Sequence, residues 1–565
     1  MFKEYKDAVA TQLSELSGVD KQVILGAIEA PKVADHGDLA VAIPRLRIKG
    51  NPVQLAKEYA EKVKTGELIT GSQAIGPFLN FSINKEKLKQ AVLREVFQKR
   101  EKYGENQNSA GKKVLVEFSS PNIAKPFHAG HLRSTIIGNF VANLHKANGW
   151  DTTTINYLGD WGKQYGLLAV GYTKYGNESD LERDPIQHLF DVYVKINNDA
   201  TEDPTIHDQA REYFRKMEEG DEEALALWSR FRTLSIEKYK QTYDKLNIHF
   251  DVYSGESTVK EGIEVVQKRM EEKELLKDSN GAKIVDLEKF KLGVAVVRKK
   301  DGTTLYLTRD LGASYERYQT YHFDKSFYIV SSQQDQYLKQ LFKIVDLMGF
   351  EYAGKMEHVN YGLVKGMSTR KGTVVFLSDI LDQTTEAVHD LMKQNQSKYE
   401  QIDDPQYVAE SVAVSAIVIQ DLYARRIKDY TFDWSRMLSF EGDTGPYLQY
   451  AHARLCSVER KVADSVPLTS EIDYSLLSEP EAFTIIDLIA KYPDLVSSSM
   501  STLEPCNFVQ YALKLSHAVS AAWDSLWVVN QAPDVAAARL LLYVCARYTL
   551  GNTLRLLGLR PLERM

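Results

Sequence analysis

Cysteine is scarce in this sequence: Cys456, Cys506 and Cys545 are the only three among 565 residues. They lie far apart among apolar neighbours, which excludes a disulfide framework or a cysteine-based zinc site and makes buried thiols the expectation. No apolar run approaches the length that spans a bilayer, and residues 1–7 are too acidic and amphipathic for a signal or transit peptide. No membrane partner and a cytoplasmic location are therefore expected. Positive charge is not in excess either. The formal net charge is −7 and the last third carries no basic surplus, so any nucleic-acid partner must be held by a local patch.

What is present is a long chain, 44% hydrophobic and 26% charged, with enough apolar residues for several cores. Residues 1–108 alternate helical stretches with strand candidates at 39–42 and 78–82, an N-terminal α+β domain that ends in the polar linker 104–111. Residues 109–403 carry the strand, turn, helix, strand succession of a parallel βαβ unit at 114–118, 132–148 and 152–157. The pattern returns at 326–332, 335–347 and 358–364, so a doubly wound, Rossmann-like sheet is expected. Between the halves lies an insertion of about residues 177–305, charged and helical first, then hairpin-like over 282–307 around Lys299-Lys-Asp-Gly302. From 404 to 565 the pattern is that of an α-helical bundle, with Pro405, Pro446, Pro480, Pro493, Pro505 and Pro533 at helix starts or breaks.

Two segments carry chemistry. Pro121-Asn-Ile-Ala-Lys-Pro-Phe-His-Ala-Gly-His131 sits at a strand-to-helix turn, where unpaired helical N–H groups and the helix dipole favour a phosphate. Gly130 lets backbone approach a ligand, while His128 and His131 can donate to a phosphate that gains charge during reaction. The second is the glycine-flanked basic loop Val364-Lys-Gly-Met-Ser-Thr-Arg-Lys-Gly372, ahead of a strand-like stretch at 373–377. Such a loop can clamp a triphosphate and neutralise leaving pyrophosphate. Ligands of doubly wound sheets sit at the carboxyl ends of strands, so both segments can serve one site.

His128-Ala-Gly-His131 resembles the HIGH signature of class I aminoacyl-tRNA synthetases, and Met367-Ser-Thr-Arg370 resembles a divergent KMSKS loop. The phrases Glu117-Phe-Ser-Ser-Pro-Asn122, Tyr157-Leu-Gly-Asp-Trp-Gly162, Leu305-Tyr-Leu-Thr-Arg-Asp310 and Glu441-Gly-Asp-Thr-Gly-Pro-Tyr447 are similar to those of arginyl-tRNA synthetases of the fungal type. The resemblance runs the length of the chain. It implies an arginine–tRNA ligase that joins L-arginine to ATP as arginyl-adenylate and passes it to the 3'-terminal ribose of tRNA(Arg), releasing AMP and pyrophosphate. ATP with Mg2+ enters as a substrate complex; no tightly bound cofactor, no metal site and a monomer are expected.

By the same resemblance Lys125, His128, His131 and Arg370 are catalytic. ATP would meet His128, Gly130, His131, Met367, Ser368 and Lys371. The loop lacks its usual second lysine, and Lys125 stands where a compensating lysine is expected. Arginine would be held by Glu117, Ser120, Asn122, His131, Tyr306, Asp310 and Gln334, since a guanidinium offers donors and no acceptor. The competing roles are packing for Tyr306 and a cap on a helix starting at Leu311 for Asp310. Phe78, Asn80, Asp443, Tyr447, Tyr450, His452, Arg454 and Trp523 would face tRNA, with core packing as the competing role of Trp523 and Trp527. A small-molecule nucleotidylyltransferase would carry the same turn without needing the long helical end. A non-catalytic RNA-binding relative would be expected to have lost a histidine or a guanidinium acceptor, and all are present.

Overall fold

Val114, Val116 and Phe118 belong to one buried cluster and Leu115, between them, to another. That alternation is what a strand covered on both faces requires. The computed structural model describes residues 2–29, 31, 33, 36–123, 127, 129–298, 305–366, 377–437, 439 and 442–565. In it Lys113–Glu117 (β1) is the middle strand of a five-stranded sheet with Asp151–Leu158 (β2), Val252–Gly255 (β3), Lys325–Tyr328 (β4) and Met356–His358 (β5). Every pairing is parallel and the order is β5-β4-β1-β2-β3. The order reverses between β1 and β4, and the crevice at their carboxyl ends is where such a sheet takes its ligand.

Helices cover both faces. Ile136, Ile137 and Phe140 of the helix Ala129–Ala147 share the cluster of Val114 and Val116. Val266, Leu311 and Leu341, from Glu261–Glu272, Tyr306–Tyr321 and Asp335–Met348, share the cluster of Leu115 and Ile155. The doubly wound expectation holds.

Several local expectations do not. The run 358–364 splits into β5 and Val364–Lys365, and the latter pairs with Tyr430–Thr431 rather than with the sheet. The insertion's hairpin pairs Ala282–Asp286 with Val294–Arg298, and Leu276–Ser279 is added beyond it. Lys299 to Gly302 lie outside the described residues, and Tyr306 and Leu307 open a helix instead of closing a strand. Leu377 likewise opens the helix Leu377–Lys393; residues 373–376 lie outside the described ones. β3 has no expectation behind it, being an edge strand of four residues.

The N-terminal part is a four-stranded antiparallel sheet with helices Phe2–Ser17, Pro52–Lys62 and Lys85–Lys99. The end of the chain consists chiefly of the helices Pro405–Leu422, Gly445–Val462, Pro480–Ser498, Cys506–Ala522 and Pro533–Leu556. Pro405, Pro446, Pro480 and Pro533 occupy first or second helical positions, where a missing N–H is harmless, whereas Pro493 lies inside its helix. All three cysteines are buried free thiols. No helix among the described residues is long and apolar enough to cross a membrane.

Candidate active site

β1 ends at Glu117, and the next turn is strained. Ser119 (φ 72°) and Ser120 (φ 48°) both adopt the left-handed region, which costs a non-glycine residue about 1–3 kcal/mol. Surrounding bonds hold them there. Ser119 N donates to Ser134 Oγ (3.0 Å), and Ser119 Oγ lies 2.7 Å from Tyr243 Oη and accepts from Thr135 Oγ1 at 2.7 Å. Asn122 forms a parallel bridge to Gly159 after β2, with Gly159 N donating to Pro121 O (3.2 Å). A Cβ at Gly159 would stand 2.0 Å from Asn122 Oδ1, so only glycine allows this close approach.

The turn aims Glu117 into a half-closed cluster of charges. Its Oε2 accepts from Arg317 Nη1 at 2.5 Å and its Oε1 accepts from Ser120 Oγ at 3.4 Å. Arg317 is buried, with its guanidinium over the rings of Tyr157 (4.7 Å) and Tyr328 (5.5 Å) at the ends of β2 and β4. Asp310 stands seven residues earlier on the same helix and accepts from Tyr337 Oη. Burial raises the Asp310 carboxyl to about 6, although the Tyr337 hydroxyl pulls it down, and the Glu117 charge adds to the rise. Glu256, after β3, accepts from Arg309 at 3.1 Å and is pushed up to about 7 by burial. Tyr157 Oη is buried and has no hydrogen-bond partner among the described residues. These side chains make a cluster rich in acceptors, suited to a cationic, hydrogen-bond-donating guest.

On the helix side, His131 lies in the first turn of Ala129–Ala147, half-buried, its ring 5.4 Å from that of Phe127 and nearly parallel to it. Leu377 N donates to Phe127 O at 2.8 Å. The chain leaving the basic segment therefore returns to the histidine turn. Gly130 is helical; Lys125, His128, Met367, Ser368, Arg370 and Lys371 lie outside the described residues.

The geometry brings Glu117, Ser120, Asn122 and Asp310 to one sheet end. Asp310 is not a helix cap, because its helix begins at Tyr306. Packing is excluded for Tyr306, which is 60% exposed. Gln334 is exposed in the turn Ser332–Gln334 after β4. Sequence reasoning missed Glu256, Arg309, Arg317, Tyr157 and Tyr337. One signal was available for Arg317: its seven-residue spacing from Asp310 puts both on one helix face.

The residues expected at an RNA surface divide. Tyr450 and Arg454 are exposed and line a cleft of about 600 Å³ with Arg460, Lys461 and Arg564. Arg454 lies over the ring of Trp523 at 4.4 Å, and Trp523 stacks on Tyr543. Tyr447 and Asp443 are half-buried, the latter accepting from Tyr423 Oη at 3.1 Å. His452 and Asn80 are turned inward, which corrects their reading as contacts. His452 Nδ1 lies 2.8 Å from Leu562 O and burial lowers the ring to about 4, while Asn80 is buried in the N-terminal sheet; Phe78 beside it is half-buried. Trp527 is 59% exposed, so core packing is excluded for it.

Three family models cover the chain: the catalytic domain of class I tRNA synthetases (R) over residues 92–434, the DALR anticodon binding domain over 448–565, and the arginyl tRNA synthetase N-terminal domain over 3–83. The cytoplasmic arginine–tRNA ligase of Saccharomyces cerevisiae is 52% identical, with 99% of this chain and 94% of the relative aligned. The probable cytoplasmic arginine–tRNA ligase of Dictyostelium discoideum is 50% identical over 99% of this chain and all of the relative. The mitochondrial enzyme of Saccharomyces cerevisiae is 47% identical over 99% of this chain and 88% of its own. Among solved structures, the arginyl-tRNA synthetase of Thermus thermophilus superposes with a TM-score of 0.84 over the whole of both chains at 21% identity.

Proposed function

Because the chain belongs to the arginyl-tRNA synthetases of class I and is an arginine–tRNA ligase, we propose that its sheet-end crevice is where L-arginine and ATP react. The arginine carboxylate attacks the α-phosphate of ATP, and pyrophosphate leaves as arginyl-adenylate forms. A hydroxyl of the 3'-terminal ribose of tRNA(Arg) then attacks the carbonyl carbon, and AMP leaves with the electron pair of the broken acyl–phosphate bond. Such chemistry asks an enzyme chiefly to position reactants and stabilise charge.

The observation that carries the assignment of sides is the acceptor-rich cluster around Asp310. Asp310, with Tyr306 and Gln334, takes the guanidinium. Glu117, Ser120, Asn122 and His131 hold the amino-acid end, and Glu117 is itself fixed by Arg317. His128, Gly130 and His131 hold ATP phosphates together with Met367, Ser368 and Lys371, and Arg370 faces the leaving pyrophosphate. Mg2+ arrives with ATP; among the described residues no cluster of three or more His, Cys, Asp or Glu could hold a metal of its own. The exposed cleft with Tyr450, Arg454, Arg460, Lys461 and Arg564 supports tRNA contact there. Residues 1–108, 109–403 and 404–565 act as tRNA-contacting, catalytic and anticodon-binding units of a cytoplasmic monomer. Arginine-dependent ATP–pyrophosphate exchange, run with and without tRNA(Arg), tests the reading. Exchange absent in both conditions would overturn it.

Lys125→Ala should lower the exchange kcat by on the order of 10²–10³-fold and leave the arginine KM nearly unchanged, the mark of a group that acts only in the transition state. Parallel loss in both would assign Lys125 to ground-state binding.

The raised carboxyls make a pH prediction. Asp310 and Glu256 hold their protons up to about 6 and about 7 in the folded chain, above their values in an unfolded one. Their contribution to stability is present at low pH and is lost as pH rises through those values, because ionised carboxylates then stand desolvated. A guanidinium offsets that loss. The thermal shift produced by arginine should therefore be small near about pH 5 and grow towards about pH 8. Asp310→Asn should flatten the profile. A shift that is constant or shrinks with rising pH contradicts the assignment.

A further inference from the structure

Arg133 lies in the second turn of the histidine-bearing helix and is 0% exposed. Its Nη1 donates to Gly362 O at 2.6 Å and to Lys428 O at 2.9 Å. Its guanidinium lies over the ring of Tyr430 at 5.1 Å, and its Nε is 3.6 Å from Oδ2 of the equally buried Asp421, which accepts from Tyr430 Oη at 2.9 Å. One side chain thus touches three segments: the helix after the histidine turn, the stem of the basic segment, and the helical end of the chain.

The stem rests on that same floor. Tyr430 N donates to Leu363 O (3.1 Å), Phe432 N to Lys365 O (2.9 Å) and Leu363 N to Asp429 Oδ1 (2.8 Å). A Cβ on Gly362 would come within 2.6 Å of the Lys428 carbonyl carbon, so the two backbones are in direct contact. Stability alone does not explain a charge here. Arg133 Nε and Nη2 and Asp421 Oδ1 have no hydrogen-bond partner among the described residues. A buried pair left half-satisfied is a poorer stabiliser than an apolar pair of equal volume. What Arg133 supplies that an apolar residue cannot is one nitrogen, Nη1, whose two N–H groups fix carbonyls from two different segments relative to one helix.

We infer that Arg133 is a positioning residue for adenylate formation: by binding Gly362 O and Lys428 O it sets the stem 362–365 against the histidine-bearing helix, and it ties that setting to the helical end through Asp421 and Tyr430. The inference rests on the reading above in which Arg370 and Lys371, which follow the stem, act on ATP. It predicts loss of turnover rather than of arginine binding, since the guanidinium acceptors Tyr306 and Asp310 stand on another helix and Gln334 in the turn after β4.

The test uses the full chain, arginine, ATP and tRNA(Arg), with exchange kinetics and thermal midpoint read together. Arg133→Lys keeps a cation near Asp421, but its Nζ ends one bond short of where Nη1 stands and so cannot hold both carbonyls in the same setting. Arg133→Met with Asp421→Asn removes both charges, so that no buried charge is left unpaired. Both proteins should fold and keep the arginine KM within about twofold, yet lose on the order of 10²-fold in exchange kcat, the cost of about 1 Å of misplacement. Arg370→Ala and Lys371→Ala run alongside. If these two slow exchange and the Arg133 variants do not, or if the neutral pair regains turnover together with its thermal midpoint, the positioning role is overturned. If Arg370→Ala and Lys371→Ala leave exchange intact, the reading of the basic segment falls and takes the inference with it. Should the neutral pair fail to fold, Arg133→Lys alone decides the outcome.

Discussion

Asp310→Asn is expected to lower kcat/KM for arginine by roughly a hundred- to several-thousand-fold, with the ATP KM little changed. Leaving one partner of a buried, hydrogen-bonded charge pair without the other costs about 3–5 kcal/mol, and each tenfold in rate corresponds to about 1.4 kcal/mol. Asparagine keeps the size and one carbonyl oxygen but presents an NH2 where a guanidinium needs an acceptor. The Tyr337 hydroxyl, which donates to Asp310, can still donate to the amide oxygen, so the fold should hold and the loss should appear in recognition. Citrulline, the neutral isostere of arginine, provides the discriminating measurement: its competition with arginine should be relatively stronger in the variant. An unchanged arginine kcat/KM would remove Asp310 from the site.

The second large effect is on stability. Glu117→Ala leaves the Arg317 guanidinium buried against two aromatic rings without its carboxylate, which should cost about 3–5 kcal/mol. The pair is only 10% and 8% exposed, so little solvent screening reduces that figure. Coupling Glu117→Ala to Arg317→Met should return most of the stability in denaturant unfolding while activity stays lost, as the proposed placing of Glu117 at the amino-acid end of the substrate requires. A single variant as stable as the parent would show that the ion pair contributes nothing, and Glu117 would then be free to serve the substrate alone.

Much of this chain was legible before its fold. The apolar run at 114–118 and the helical period after the histidine turn reflect geometry that any buried strand or helix imposes on its own side chains, and both elements formed where expected. Prolines at 405, 446, 480 and 533 opened helices for an equally local reason, since φ is preset and no N–H is lost. The histidine turn and the phrase ending in Asp310 announced the chemistry because their residue types and spacing are short-range features. β3, four residues long at a sheet edge, carries too little pattern to be seen, and the ribbon of 364–365 with 430–431 joins residues sixty-odd positions apart.

What the tertiary structure alone decided is which charges face one another. Glu117 and Asp310 are both carboxylates at the ends of recognisable phrases, yet one is held by Arg317 and the other is left with a tyrosine hydroxyl, and that difference arises from a helix packed across β1. Asn80 and His452 share the residue types of RNA contacts, but burial removes them from any such surface, while Trp527, at core-like spacing, is left exposed. Sequence determines local conformation through sterics and periodicity. Partnership and burial depend on contacts between segments far apart in the chain, so they are properties of the packed molecule, and the roles of Arg133 and Arg317 belong to that second class.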